Sequence, residues 1–277
     1  MLLAIWNFLL DINEKRLEVL TTNKNRKRII VMEILSVTET VVQHLRDLII
    51  SNTFKSGQRL NEVDLSTELN VSRVPVREAF HILENEQLLV RFPRKGTYVT
   101  EMSIERLRKV YSARKMIESY AIDLLKSEQI RNLPSLYASV VQVSTLPAHN
   151  RDNPKEVLSY LKDITDFHVQ LVASTRNPWI INFYTSIINN LARFQFFCRF
   201  TPGLSDQSQD THEQIYELLA AGLYEKAKDM LMSHIDYTMG FIENHINEES
   251  NVSQNRVRPT RGNSTSDTIA TLRGRQL

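Results

Sequence analysis

His168, His212 and His234 lie in three separate amphipathic helical segments, beside Phe167, Ile215 and Leu231. Taken singly, each reads as a surface histidine or a satisfied core histidine. Brought together inside a bundle, three neutral imidazoles would bind a Zn, Ni, Fe or Mn ion, with imidazole favouring the later metals. No two of them have the i, i+4 spacing of a single-helix metal motif, so separate helices must supply them. Arg114 and Glu118 stand four apart on another helical segment. They read either as a helix-surface ion pair or as a guanidinium facing a cavity, where it could grip a carboxylate with two parallel bonds. Tyr111 and Arg193 are candidates for the same cavity. The run Phe194, Phe196 and Phe197 reads as core. The chain has no His-Glu-x-x-His, no phosphate-binding glycine loop and no nucleophile elbow.

A second group of residues could grip nucleic acid. Arg73, Arg77 and His81 follow i, i+4, i+8 on a segment whose other stripe is Val76, Ala79, Phe80 and Leu83. Two arginines near the start of such a helix suit a major groove, where they reach guanine edges or hold phosphates. Ser72 is placed to cap this helix. Pro75 falls in its first turn, where a missing N–H removes no bond. Leu65 and Leu69 mark a short preceding helix, and Asn70 tolerates the left-handed backbone a tight turn needs. Further on, Leu88 to Phe92, a turn at Pro93-Arg94-Lys95-Gly96, and Thr97 to Thr100 read as strand, turn, strand. The pattern is a helix-turn-helix followed by a β-hairpin wing.

Gly57-Gln58-Arg59-Leu60-Asn61-Glu62, the run Val71-Ser72-Arg73-Val74-Pro75-Val76-Arg77-Glu78-Ala79, and Lys95-Gly96-Thr97-Tyr98-Val99 occur in that order. Together they resemble the winged-helix domain of GntR-family bacterial transcription regulators. Asn70 and Gln87 depart from the pattern by standing where the family usually has glycine. The resemblance implies contacts from Arg59, Ser72, Arg73, Arg77, Arg94, Lys95 and Gly96 to a double-stranded, near-palindromic operator. A homodimer would bind it, since one helix-turn-helix covers a half-site.

The helical half continues the resemblance. Tyr111-Ser112-Ala113-Arg114-Lys115-Met116-Ile117-Glu118, then Phe167-His168, Asn177-Pro178, His212, Ala227 and His234 look like the effector domain of the FadR-type GntR subfamily. That domain binds a small ligand, commonly an organic acid, and often a divalent metal held by one Asp and three His. The resemblance thus assigns His168, His212 and His234 to a metal, while on the residues themselves Arg114, with Tyr111 and Arg193, is the candidate to hold the carboxylic acid effector. The family's Asp lies four residues before the Phe-His histidine, and that position is Ile164 here. Asp163 is the nearest replacement. At about 100° per residue it points about 140° away from His168, so it would become a fourth ligand only through a π-bulge.

Composition sets the bounds. The 277 residues suffice for two domains, with 42% hydrophobic and 24% charged residues. Net charge is +2, and residues 33–101 hold 8 Lys plus Arg against 10 Asp plus Glu. A nucleic-acid role therefore rests on where the cations sit rather than on how many there are. Cys198 is the only cysteine, which excludes a disulfide within the chain and fits a cytoplasmic protein.

The expected fold is mainly α. Residues 1–32 form an N-terminal extension, apolar at first but too short to span a bilayer. Residues 33–101 form the winged helix-turn-helix, opened by a helix over Ser36 to Asn52. Residues 102–247 form an antiparallel helical bundle for effector binding and dimerisation. Residues 248–277 form a polar, disordered tail. The expected function is a ligand-responsive DNA-binding regulator with no membrane partner. Two alternatives are a metal-dependent hydrolase using the histidines and a DNA-binding protein whose bundle only dimerises.

Overall fold

The computed structural model describes residues 36–146, 150–198 and 204–257. The expected N-terminal extension at 1–32 lies outside the described residues, as does the tail from 258 onward.

The first unit begins with α1 (Val37–Ile50), opened by a capping box in which Ser36 and Glu39 exchange bonds. The short strand β1 (Arg59–Leu60) leads into α2 (Glu62–Glu68), which Asn61 caps. Next comes α3 (Arg73–Asn85). The wing is β2 (Leu89–Phe92) and β3 (Gly96–Val99). It is more than the expected hairpin, because β1 pairs antiparallel with β3 and gives the order β1-β3-β2. Val76, Ala79, Phe80 and Leu83 are buried as the helical stripe requires, and pack with Val41, Leu45, Ile49 and Leu65. Ser72 occupies the cap position of α3, but its side chain makes no capping bond.

Asn70 and Gln87 both adopt left-handed backbones, with φ of 52° and 58°. This is the conformation a glycine would supply at no steric cost. Gln87 stays in it as the chain leaves α3 for the wing, with its N–H donating to the Glu84 carbonyl.

The second unit is α-helical among the described residues: α4 (Ile104–Ser127), α5 (Pro134–Ser144), α6 (Pro154–Ala173), α7 (Pro178–Phe197), α8 (Leu204–Ala220) and α9 (Tyr224–Val257). Ser103, Asn153 and Asn177 cap α4, α6 and α7 through their side chains. Helix α9 runs ten residues past the expected boundary at Asn247, so residues 248–257 are helix and not tail. The bundle's core holds Leu107, Tyr111, Phe167, Phe194, Ile215 and Leu231 among others. Phe196 belongs instead to a small apolar cluster with Ile50, Val157 and Leu161, which joins the first unit to the second.

Helix α7 also meets the first unit through polar bonds. Arg193 Nη1 donates to the Thr100 carbonyl at 2.8 Å and to Thr100 Oγ1 at 3.0 Å. Asn190 Nδ2 donates to the Glu86 carbonyl at 2.7 Å, and Asn189 Nδ2 to Glu86 Oε2 at 3.0 Å. Arg106 of α4 donates to the Gln87 carbonyl and, at 3.1 Å, to Asn190 Oδ1. The end of α3 and the end of β3 are therefore tied to the bundle by α7.

Candidate functional site

Residues Leu107, Tyr111, Arg114, Glu118, Ala121 and Leu125 recur at intervals of three or four along α4, which places them on one helix face. All of them are buried. Arg114 and Glu118 thus form an ion pair, but in the core and not on the helix surface, with Arg114 1% and Glu118 0% exposed.

Glu118 collects three donors. Oε1 accepts from Arg114 Nε at 2.7 Å and from the Tyr184 hydroxyl at 2.7 Å. Oε2 lies 2.8 Å from His168 Nδ1. Burial pushes the Glu118 carboxyl up, but Arg114 and His168 outweigh it and hold the group well below the usual carboxylate range. Burial pulls Arg114 down, and Glu118 with the two tyrosines holds it above its ordinary value. An ionised Glu118 makes His168 Nδ1 the protonated nitrogen, so its Nε2 lone pair is free to face a ligand.

The three histidines converge. One ring nitrogen from each of His168, His212 and His234 lies within 4.8 Å of the others, and all three side chains are buried. His212 Nε2 and His234 Nε2 are 3.1 Å apart. Two imidazole ligands of a tetrahedral zinc, at ~2.0–2.1 Å from the ion, stand ~3.3–3.4 Å apart. The donor set therefore fits a divalent ion with little movement. Phe167 stacks on His212 with ring centroids 4.2 Å apart and holds that ring's orientation. Burial, then His168, then its neighbours, lowers His234 to about 3, and similar causes lower His212 well below its ordinary value.

Tyr111 completes the wall. It is 0% exposed, its ring lies 5.5 Å from the Arg114 guanidinium carbon, and its hydroxyl has no hydrogen-bond partner among the described residues. Burial pushes that hydroxyl up to about 12, so it stays a donor. Arg114 spends Nε on Glu118, and its charge acts on the Tyr111 hydroxyl beside it. A buried donor left without an acceptor costs ~1–3 kcal/mol, more when charged. The Tyr111 hydroxyl, with the Arg114 guanidinium beside it, is therefore suited to an anionic ligand.

Two expected members are not brought to this site. Asp163 accepts from Gln142 Nε2 at 2.8 Å on the outside of α6 and is not among the converging ligands. Helix α6 is regular here, so the angular offset from His168 persists. Ile164, one turn before His168 on α6, supplies no ligand and also packs against the small apolar cluster at the junction. Arg193 serves the junction through Thr100 instead of the cavity. In the sequence Glu118 reads only as a partner of Arg114. Its phase with Leu107, Tyr111 and Leu125 was the signal that it is buried.

On the first unit, Arg73 and Arg77 are exposed on α3, and Arg77 Nε donates to Glu62 at 3.2 Å. Arg94 and Lys95 are exposed at the wing tip, and Arg94 is left-handed with φ of 63°. Gly96 has φ of 111°, and a Cβ there would lie 3.0 Å from Arg59 Nε, so Arg59 rests against the wing. Among the described residues no helix is long and apolar enough to cross a membrane.

A winged helix joined to a helical bundle with a buried ligand-type centre is the architecture of a DNA-binding transcription regulator. Residues 37–99 match the family model "Bacterial regulatory proteins, gntR family", and residues 109–237 match the FCD domain. The chain belongs to the GntR family of transcription regulators and carries an FCD domain. It is 27% identical over 209 residues to the HTH-type transcriptional regulator YdhC of Bacillus subtilis, covering 74% of this chain and 90% of that one. It is 22% identical over 210 residues to the gluconate operon transcriptional repressor of Bacillus licheniformis, covering 75% and 84%. Among solved structures, a GntR regulator from Rhodococcus sp. RHA1 aligns with a TM-score of 0.58 at 25% identity, covering 74% of this chain and 96% of that one. The family consists of regulators and not enzymes, so the hydrolase alternative falls.

The neutral, buried histidines have a consequence for stability. Their folded values lie below the unfolded value near 6.5, so an unfolded chain takes up protons that the folded one refuses. The stability they contribute is complete above pH ~6.5 and is lost as pH falls toward the folded values. Glu118 adds the same trend at lower pH. The thermal midpoint of the metal-free protein should therefore drop between pH 7 and pH 5. His212→Gln/His234→Gln should flatten that drop in differential scanning calorimetry, and an unchanged slope would contradict it.

Proposed function

We propose that this regulator responds to a small organic acid held at His168, His212, His234, Arg114 and Tyr111, with a divalent ion on the three imidazoles. The observation that carries this reading is the convergence of three buried imidazole nitrogens beside Arg114 and a Tyr111 hydroxyl that has no hydrogen-bond partner among the described residues. When bound, the ion would supply positive charge that polarises and anchors an acid. The residues themselves fix the sign of the ligand. Arg114 and Glu118 cancel each other and the histidines are neutral, so a divalent ion leaves buried charge that an anion must balance. With Ile164 in place of a carboxylate, the acid or water completes the coordination shell.

On the DNA side, Arg73 and Arg77 read the major groove from the start of α3. Arg59, Arg94, Lys95 and Gly96 bring the wing onto the backbone or minor groove, and Ser72 lies at the helix entry. The reading includes a cytoplasmic homodimer on a near-palindromic operator. Met116 and Tyr120 of α4 and Trp179 and Phe183 of α7 support a dimer face. They are 67%, 50%, 72% and 61% exposed; Met116 and Tyr120 bracket Glu118 in sequence, and Trp179 and Phe183 precede Tyr184. Helix α7 gives a route from ligand to DNA, because it carries Tyr184 at one end and Asn190 and Arg193 at the other.

Arg77→Ala should cost about 1–3 kcal/mol at the specific operator if the residue reads a base. Fluorescence anisotropy checks this, and wild-type affinity in Arg73→Ala/Arg77→Ala would remove both residues from the interface. In calorimetry, wild type should bind Zn or Ni, and more tightly with citrate present. His212→Ala should lose that binding. Ile164→Asp should gain affinity for the ion and depend less on the acid. No heat from wild type with ion and acid together would make the histidine cluster structural.

A further inference from the structure

A cleft of about 290 Å³ lies between α1 of the DNA-binding unit and helices α6 and α7 of the bundle, away from the histidine centre. We propose that it is a second ligand site, for a small organic cation with an apolar body.

The inner wall is apolar. Ile50, Leu161 and Ile188 are buried there, with Ala192 beside them. For scale, a cavity of ~150 Å³ lined by Leu, Ile and Phe takes up benzene. The cleft therefore has room for one aromatic ring and a short chain.

The polar wall selects the charge. Arg46 pairs with Glu86 through two nitrogens and donates a third bond to Gln43. Asn189 donates to the same Glu86. These groups are occupied with one another. Lys162 also lines the cleft, and its charge acts on Asp163. Asp47 differs. Its Oδ1 accepts from Gln43 at 2.9 Å, and its Oδ2 has no hydrogen-bond or ion-pair partner among the described residues. Burial raises the Asp47 carboxyl above its ordinary value, against the pull of Gln43 and Arg46. A half-buried carboxylate with a free oxygen, next to an apolar slot, is matched by an ammonium on an apolar stem. A carboxylate ligand would meet Asp47 as a like charge.

The position gives the site a consequence. One wall is α1 and the Glu86 turn at the end of α3, and the other is the bundle. A bound cation would hold the two units together at the point where α7 grips the end of α3.

The test uses 3-phenylpropylamine, with 3-phenylpropionate and 3-phenylpropanol as probes of the same shape, titrated by calorimetry into the full chain. The amine should bind one per chain, about tenfold tighter than the alcohol or acid, as one charge-assisted hydrogen bond implies. Asp47→Asn should reduce the amine's advantage over the alcohol to less than about threefold. Ala192→Phe should fill the slot and remove binding of the amine, with an unchanged circular dichroism spectrum as the control for folding. His212→Ala should leave binding intact, which separates this site from the histidine centre. Equal binding of acid and amine, amine binding that survives Ala192→Phe, or no binding of any probe overturns the proposal.

Discussion

The structure of the bundle depends on one buried carboxylate. Glu118 is fully enclosed and accepts from Arg114, Tyr184 and His168, residues of three different helices. A carboxylate in this position is tolerated only because its charge is paired and its lone pairs are used. Removing it would strand Arg114, at a cost of about 3–5 kcal/mol typical of breaking a buried pair. It also sets the tautomer of His168, and so determines which nitrogen the metal-type centre presents. Stability and ligand chemistry therefore meet in one side chain.

The same carboxylate connects the centre to the DNA-binding unit. Tyr184 ties it to α7, and α7 reaches the Glu86 carbonyl and Thr100 through Asn190 and Arg193. Arg193 is the least satisfied member of this seam. Its Nε and Nη2 have no partner among the described residues, and burial, then Arg106, lowers its guanidinium to about 10. A buried cation with no counterion among the described residues costs free energy at this seam. Coupling of this kind needs a ligand that interacts differently with the two arrangements, and Glu118 is the group whose bonds such a ligand would perturb.

Much of this was legible in the sequence. The 3.6-residue periodicity marked the buried stripe of α3, and Asn61, Ser103, Asn153 and Asn177 cap their helices in the structure, although α9 runs ten residues past its expected end. Asn70 and Gln87 marked left-handed turns because they replace glycine. The three histidines converged as their order along the family pattern implied. What local pattern could not carry was the partner of each polar residue. Arg193 looked like a cavity cation, yet it meets Thr100, which is 93 residues away in sequence. Asp163 is the nearest acid to His168 in that stretch but for Asp166, yet helix geometry turns it outward to Gln142. The β1 strand is two residues long and has no periodicity to read.

The central claim is that the Glu118 centre controls the DNA-binding unit through Tyr184 and α7. The most direct measurement is operator affinity by fluorescence anisotropy, with zinc and citrate and with a chelator, for wild type and Tyr184→Phe. The expected result is a shift of about tenfold or more between the two conditions in wild type, the size of a typical coupling energy. Tyr184→Phe should lose most of that shift while still binding zinc in calorimetry. A wild-type affinity that is the same in both conditions, or a full shift retained in Tyr184→Phe, would contradict the account.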